Sequence, residues 1–197
     1  MPTYGPVSPN ESWEANPGTF SWSGNSSYLN SAEGTAWTAS SSENALSFKH
    51  LHGRGFAPSV TSGETVNGIL VEWYKKASED GASRYVTDSS VKLGKGAAWF
   101  NTTLVGSNYA DGSTKWPTSY AYASYGGASD LWGTTWTVSE VNSNLAAALQ
   151  PLHNISPSPG SNLFVYADHV RVTIYTTAAG GGVRARSPSI PPAMLCF

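Results

Sequence analysis

Residues Phe164 to Thr176 read FVYADHVRVTIYT. In an extended chain successive side chains point to opposite faces, so Val170, Val172 and Ile174 share one side and His169, Arg171, Thr173 and Tyr175 the other. A helical period would mix the two sets. The segment is therefore a strand with one face in a core. A Pro/Gly/Ser loop at 156–161 precedes it, and Gly180 to Gly182 follow it.

Working outward, the same reading recurs. Val60 to Tyr74 opens with a Ser62-Gly63 turn, after which Ile69, Val71 and Trp73 alternate with Leu70, Glu72 and Tyr74. Lys75 to Arg84 is a polar turn, Tyr85 to Leu93 is a strand, and Ala97 to Val105 holds another short one before turn material at Asn108 to Lys115. Short runs around Phe20, Trp22 and Trp37 read as brief strands between Ser/Asn/Gly turns. In the run Ala45 to Phe56, His50 and His52 share a strand face at a spacing that can chelate a metal, but no Cys, Asp or Glu in the run completes a site, so they are read as ordinary histidines. Ser139 is expected to cap a single helical turn that Asn142 and Asn144 end. Leu145 to Leu149, helix-prone by composition, is read as a strand because it is short, closed by Pro151 and set among strands.

Trp116 to Thr137 places six aromatics in 22 residues with Asp130 as the only charge. Pro117, Gly126, Gly127 and Gly133 interrupt both periods. The stretch reads as an ordered, aromatic-rich connection over the core.

The fold class that follows is all-β, a jelly-roll-like antiparallel β-sandwich with extended N- and C-terminal arms. The domain spans 19–177, with an extended arm at 1–18 rich in proline and a flexible tail at 178–197. Charged residues make up 12% of the chain and the net charge is −2, against about 25% in an average soluble protein. This gives no basic footprint for nucleic acid. The beginning of the chain shows neither a basic n-region nor an apolar core, and no apolar run is long enough to span a bilayer, so neither signal peptide nor membrane partner is expected. Cys196 is the only cysteine, which excludes an internal disulfide. The four N-x-S/T sequons carry no weight in a chain so rich in Asn, Ser and Thr.

Several motifs in fixed order carry a resemblance: Ser62-Gly63 through Val66, Gly68 and Val71; Val86-Thr-Asp88; Trp116-Pro117; Tyr125-Gly-Gly-Ala-Ser-Asp130-Leu-Trp-Gly133; Trp136 to Asn142; and Asp168-His-Val-Arg-Val-Thr-Ile174-Tyr175. Over residues 18–176 the chain resembles a family of virion-associated proteins of tailed bacteriophages and prophages, whose strand pattern resembles a jelly-roll sandwich. It departs from that family at Leu145 to Leu149. The resemblance implies a bacteriophage structural protein, and a capsid decoration or cement role is the expected one, assembled in the host cytoplasm onto the virion surface. The expected partners are the major capsid protein and neighbouring copies of the chain, with a trimer as the assumed arrangement. The arms would carry that contact through Tyr4, Trp13, Val183, Arg184, Arg186, Ile190, Met194, Leu195 and Phe197.

The alternative is a carbohydrate-binding module or a tail or fibre component that recognises host glycans. Trp116, Tyr120, Tyr122 and Tyr125 are its candidate stacking rings. Against it stands the reading in which these rings pack as a lid over the core. An enzyme is not expected, and neither is a cofactor or a metal. Asp168-His169 and the carboxylates Glu72, Asp88, Asp130 and Glu140 would have to converge, nothing in their spacing requires it, and no nucleophile, zinc, phosphate or dinucleotide motif occurs. Asp88 and Asp130 are expected to cap turns.

Overall fold

A computed structural model describes residues 1–15, 17–42, 48–98, 101–155 and 162–179. Among them the chain forms β1 (Thr3–Val7), β2 (Glu11–Ala15), β3 (Trp37–Ser41), β4 (His50–Arg54), β5 (Thr65–Ala77), β6 (Arg84–Lys95), β7 (Thr103–Val105), β8 (Ala121–Gly126), α1 (Val138–Ser143), β9 (Leu145–Ile155) and β10 (Leu163–Thr177). The strands make two five-stranded sheets. The front sheet runs β1-β10-β5-β8, with β3 also on β10, and the back sheet runs β2-β4-β9-β6-β7. Every ladder is antiparallel. The protein is an all-β, jelly-roll-like sandwich. The expected loop at 156–161 and the tail from 180 on, with Val183, Arg184, Arg186, Ile190, Met194, Leu195 and Phe197, lie outside the described residues.

The alternation read in β5 and β10 is the alternation of the core. Ile69, Val71, Trp73 and Ala77 on β5 pair with Ile174, Val172, Val170 and Val165 on β10, all buried. Opposite them the back sheet contributes Leu51, Val86, Val91, Leu93 and Leu149. Trp73, Trp116, Trp132 and Phe48 are fully buried. Truncating any one of them to Ala would cost about 3–5 kcal/mol.

Three elements differ from the sequence reading. Residues 1–18 are extended but not free, because β1 pairs with β10 and β2 pairs with β4. Pro2, Pro6 and Pro9 are tolerated there because both strands are sheet edges, where a missing N–H breaks no inner ladder. Within the aromatic stretch, Ala121–Gly126 is a strand rather than a connection, paired along β5 from Lys75 to Leu70. Gly126 ends it at φ +74°, and a Cβ there would collide with the Ile69 carbonyl and the Trp132 indole. That close approach lets Trp132 Nε1 donate to Ile69 O at 2.9 Å. The helical turn is capped by Thr137, two residues before Ser139, through a capping box with Glu140.

β9 bears out the strand read at Leu145 to Leu149. It lies between β4 and β6, so Leu149 faces both Leu51 and Val91. Two ladders of backbone hydrogen bonds and full burial of Ala146, Ala147 and Ala148 override the helix preference of an Ala-rich run.

Candidate functional site

The outer face of the front sheet collects the polar half of the β10 and β5 alternation. Cross-strand register places Tyr74 between His169 and Tyr122, Glu72 between Arg171 and Ser124, and Lys76 beside Tyr166. Directly opposed residues share a face, so these side chains stand together by pairing alone. Tyr120, just before β8, and Phe164, at the start of β10, extend the set in both directions.

The rings form a continuous strip. Tyr122 and Tyr74 have centroids 4.7 Å apart, and Tyr74 stacks on Tyr120 at 5.1 Å. Lys76 Nζ then bridges two rings, 4.6 Å from Tyr120 and 4.9 Å from Tyr166. Tyr166 stacks on Phe164 at 6.4 Å. The ends of the strip are the most exposed rings among the described residues, Tyr122 at 37% and Phe164 at 39%.

Polar groups hold the strip in place. The Arg171 guanidinium lies 4.1 Å from the Tyr122 ring and makes a two-pronged ion pair with Glu72, at 2.8 and 3.0 Å. The bond to Glu72 is the main reason the Arg171 pKa is raised. Tyr122 Oη is 2.8 Å from His169 Nδ1, and His169 Nε2 is 2.8 Å from Ser8 Oγ. Burial, followed by the charge of Arg171, lowers the His169 pKa, so the ring is neutral near pH 7. A neutral imidazole donates from one nitrogen and accepts at the other, so one hydroxyl of this chain is a donor to it and the other an acceptor. Burial also raises Tyr120 to about 12, with help from the charge of Asp168. Burial raises Tyr122 as well, so these two phenols remain neutral.

The other side of β8 has a different chemistry. Tyr125 points inward, and its Oη donates to Asp88 Oδ2 at 2.6 Å. Lys75 Nζ donates to Asp88 Oδ1 and to Tyr125 Oη, and Trp116 Nε1 donates to Asp88 Oδ1 at 2.8 Å. Lys75 and Asp88 are buried. Desolvation lowers the Lys75 pKa against the opposing pull of Asp88, and burial pushes Tyr125 far up. Asp88 is thus the acceptor of a buried network and not a turn cap. Outside this network a groove of about 490 Å³ opens, lined in part by Tyr109, Asp111, Lys115, Pro117 and Tyr122.

Among solved structures, the chain is similar to SGBP-B from a complex xyloglucan utilization locus in Bacteroides uniformis, at TM-score 0.44 and 15% identity over 85% of this chain and 49% of that one. It spans about half of that protein's length. It is also similar to the CBM22-1 xylan-binding domain of Paenibacillus barcinonensis Xyn10C, at TM-score 0.38 and 10% identity over 89% of this chain and 94% of that one. No family model and no curated protein matches the sequence.

Of the four rings expected to stack on a glycan, the strip contains Tyr120 and Tyr122. Trp116 and Tyr125, at 1% and 9% exposure, are buried against the ion pair, as in the lid reading. The reason is parity: Tyr122 and Tyr125 are an odd number of residues apart on one strand and so face opposite ways. Tyr4 and Trp13, expected to hold a partner, pack on their own chain. Tyr4 Oη donates to Glu64 Oε1 at 2.8 Å, and Trp13 stacks on His52 at 4.9 Å.

The carboxylates do not converge. Glu72 pairs with Arg171, Asp88 with Lys75 and Glu140 with Lys95. Asp130 accepts from Tyr109 Oη and, as expected of a turn cap, from Trp132 N at 2.7 Å. His50 and His52 are buried with rings 6.0 Å apart, and no group of three or more His, Cys, Asp or Glu is placed to hold a metal among the described residues. No described helix is long and apolar enough to cross a membrane. The sequence reading missed Tyr74, Lys76 and Tyr166 as site residues. Extending the Glu72-Tyr74 alternation by one position would have found Lys76, and the Ile69-Val71-Trp73 alternation Lys75 as the inward ion, but Tyr166 has the parity of the buried Val170 and reaches the outer face only through a bulge between Ala167 and His169 that local alternation does not show.

Proposed function

We propose that the protein is a carbohydrate-binding module whose outer front-sheet face holds an extended, neutral glycan chain. The observation that carries this reading is the ring strip from Phe164 to Tyr122, crossing three neighbouring strands and exposed at both ends. Pyranose rings present flat C–H faces that stack on such rings, and their hydroxyls need donors and acceptors beside them. Arg171, Glu72 and Lys76 supply both, and the Arg171–Glu72 pair leaves little net charge to select an ionic ligand. The rings are braced by hydrogen bonds and cation contacts, which lowers the ordering cost of binding. The capsid-decoration role implied by the resemblance would draw on the arms; Tyr4 and Trp13 are committed to their own domain, and no other arm residue named for it is among those described.

Isothermal titration against a panel of soluble neutral polysaccharides tests the reading. Binding is expected for at least one, weakened roughly tenfold by Tyr122→Ala or Tyr74→Ala, the equivalent of about 1.4 kcal/mol per ring. No binding across the panel, or unchanged affinity in the Tyr74→Ala/Tyr122→Ala double variant, overturns it.

A further inference from the structure

The strands at the sheet margins differ in how their free side is closed off. β1 carries Pro6 and a bulge between Tyr4 and Val7, β2 carries Glu11 and Glu14, β7 is three residues long, and β3 is covered by main-chain bonds between Thr38 and Ser23. Such devices keep an edge from pairing with another chain. β8 has none of them. Ala121–Gly126 contains no proline and no charge, and its ladder with β5 runs without a register shift.

The open groups of this edge follow from the ladder on its other side. Ile69 N donates to Asp130 O, Gly127 N to Ile69 O and Ala77 N to Pro117 O, so the odd-numbered residues of β5 turn their main chain toward β8. Their partners Tyr125, Ala123 and Ala121 therefore bond to β5, and Tyr122 and Ser124 turn N–H and C=O the other way. No described residue bonds to these outward main-chain groups. Tyr122 and Ser124 are exposed, and the groove of about 490 Å³ borders Tyr122 to Gly126.

This pattern is complementary to itself. When a second β8 is laid antiparallel about a two-fold axis at Ala123, Tyr122 meets Ser124 of the copy and Ser124 meets its Tyr122, so every outward group at these two positions gains a partner. Ala123 meets its own counterpart, and its methyl group suits the close approach of a non-hydrogen-bonded pair. Like charges directly opposite would oppose such pairing, and the segment has no charge.

We propose that β8 pairs with β8 of a second copy of this chain, giving one continuous antiparallel sheet across the axis. Directly opposed residues share a face, so the ring strips of both copies lie on the same side. Tyr122, at the end of its strip, stands diagonally from its counterpart at about 7–8 Å, within reach of aromatic side chains. The two strips then run on from one another. That consequence rests on the glycan reading above: the second copy supplies half of a longer platform, and a chain that crosses the axis binds more tightly than one that does not. The pairing itself does not depend on it.

The test is sedimentation velocity of the full chain without glycan, from about 1 μM to about 1 mM. A monomer–dimer equilibrium is expected, with Kd of roughly 10–100 μM because the contact is small. Ser124→Pro removes an outward N–H and leaves the ladder to β5 intact, while Ser124→Lys sets two cations beside the axis. Each should weaken the dimer at least tenfold. In a Cys196→Ser background, which lacks the native thiol, Ala123→Cys should form an intermolecular disulfide, since a non-hydrogen-bonded pair brings Cα atoms to about 4.5 Å. Ala121→Cys, which this register places opposite Tyr125 of the copy, should not. A chain that stays monomeric overturns the proposal and leaves the edge to the glycan or to an extended segment of another protein. A dimer untouched by both Ser124 variants overturns it as well, and so does crosslinking of Ala121→Cys as fast as of Ala123→Cys. A dimer that forms while no polysaccharide binds keeps the pairing and overturns the glycan reading instead.

Discussion

Tyr122 and Tyr125 lie three residues apart on β8 and serve opposite ends. On the outer side, Tyr122 is 37% exposed, its hydroxyl held by a neutral histidine and its ring by Arg171, so ring surface remains for a ligand. On the inner side, Tyr125 is 9% exposed, and its hydroxyl completes the shell of a buried carboxylate. The difference teaches that an aromatic-rich stretch is not in itself a binding surface. Strand parity divides its rings between stability and recognition, and changes on the two sides should separate into losses of stability and losses of affinity.

The largest expected break comes from acid and falls on buried histidines of the back sheet, away from the ring strip. Burial, with Arg84 as the second cause, lowers His153 to about 4, and burial with His50 lowers His52 to about 3. His153 lies edge-on to Phe48 at 4.5 Å, with neither ring nitrogen hydrogen-bonded. Their folded pKa values lie below the unfolded value, so the unfolded chain takes up protons first as pH falls. Stability is full above about pH 6.5 and declines toward pH 4 by up to about 1.4 kcal/mol per pH unit for each histidine. Urea midpoints across this range check it, and His153→Phe should flatten the profile; an unchanged slope in that variant would place the acid sensitivity elsewhere.

Next in size is Asp88→Ala, which strands the Lys75 ammonium in the core and should cost about 3–5 kcal/mol in urea unfolding. Affinity of the remaining folded protein for a glycan should change little. A selective loss of affinity would mean that the groove outside Tyr125 belongs to the binding site, and the comparison would fail.

Tyr122→Ala should reverse the pattern, with roughly tenfold weaker glycan binding, about 1.4 kcal/mol, and a midpoint shift of no more than about 1 kcal/mol. Equal losses in both measurements would make Tyr122 a packing residue. The smallest effect is expected from Lys76→Met, which removes a cation from between Tyr120 and Tyr166 at a cost of about 0.5–1 kcal/mol. Its measurement is affinity at low and high salt: a salt-insensitive loss points to ring positioning, a salt-sensitive one to direct contact of the ammonium with the ligand.

Much of the architecture was legible because it is written in period. Val170, Val172 and Ile174 against His169 and Arg171, and Ile69, Val71 and Trp73 against Glu72 and Tyr74, identify strands and their buried faces without any tertiary information. β9 was legible through its neighbours and Pro151. β8 was missed because Gly126 and Gly127 end its alternation after a few residues and its pairing with β5 is non-local. The pairing of β1 and β2 was hidden by prolines, which exclude inner strands but not edges.

Local order alone therefore determined the all-β class, the main strands and which of their residues face the core, since side-chain parity is a property of the extended backbone. Tertiary structure alone decided which strands are neighbours. That choice brings Tyr74, Tyr122 and His169 onto one face, joins Lys75 to Asp88 across the sheets, and brings Gly34 N to the Asp168 carboxylate. Each of these contacts closes a long loop of chain, and its energy comes from burial and pairing that no single segment can supply.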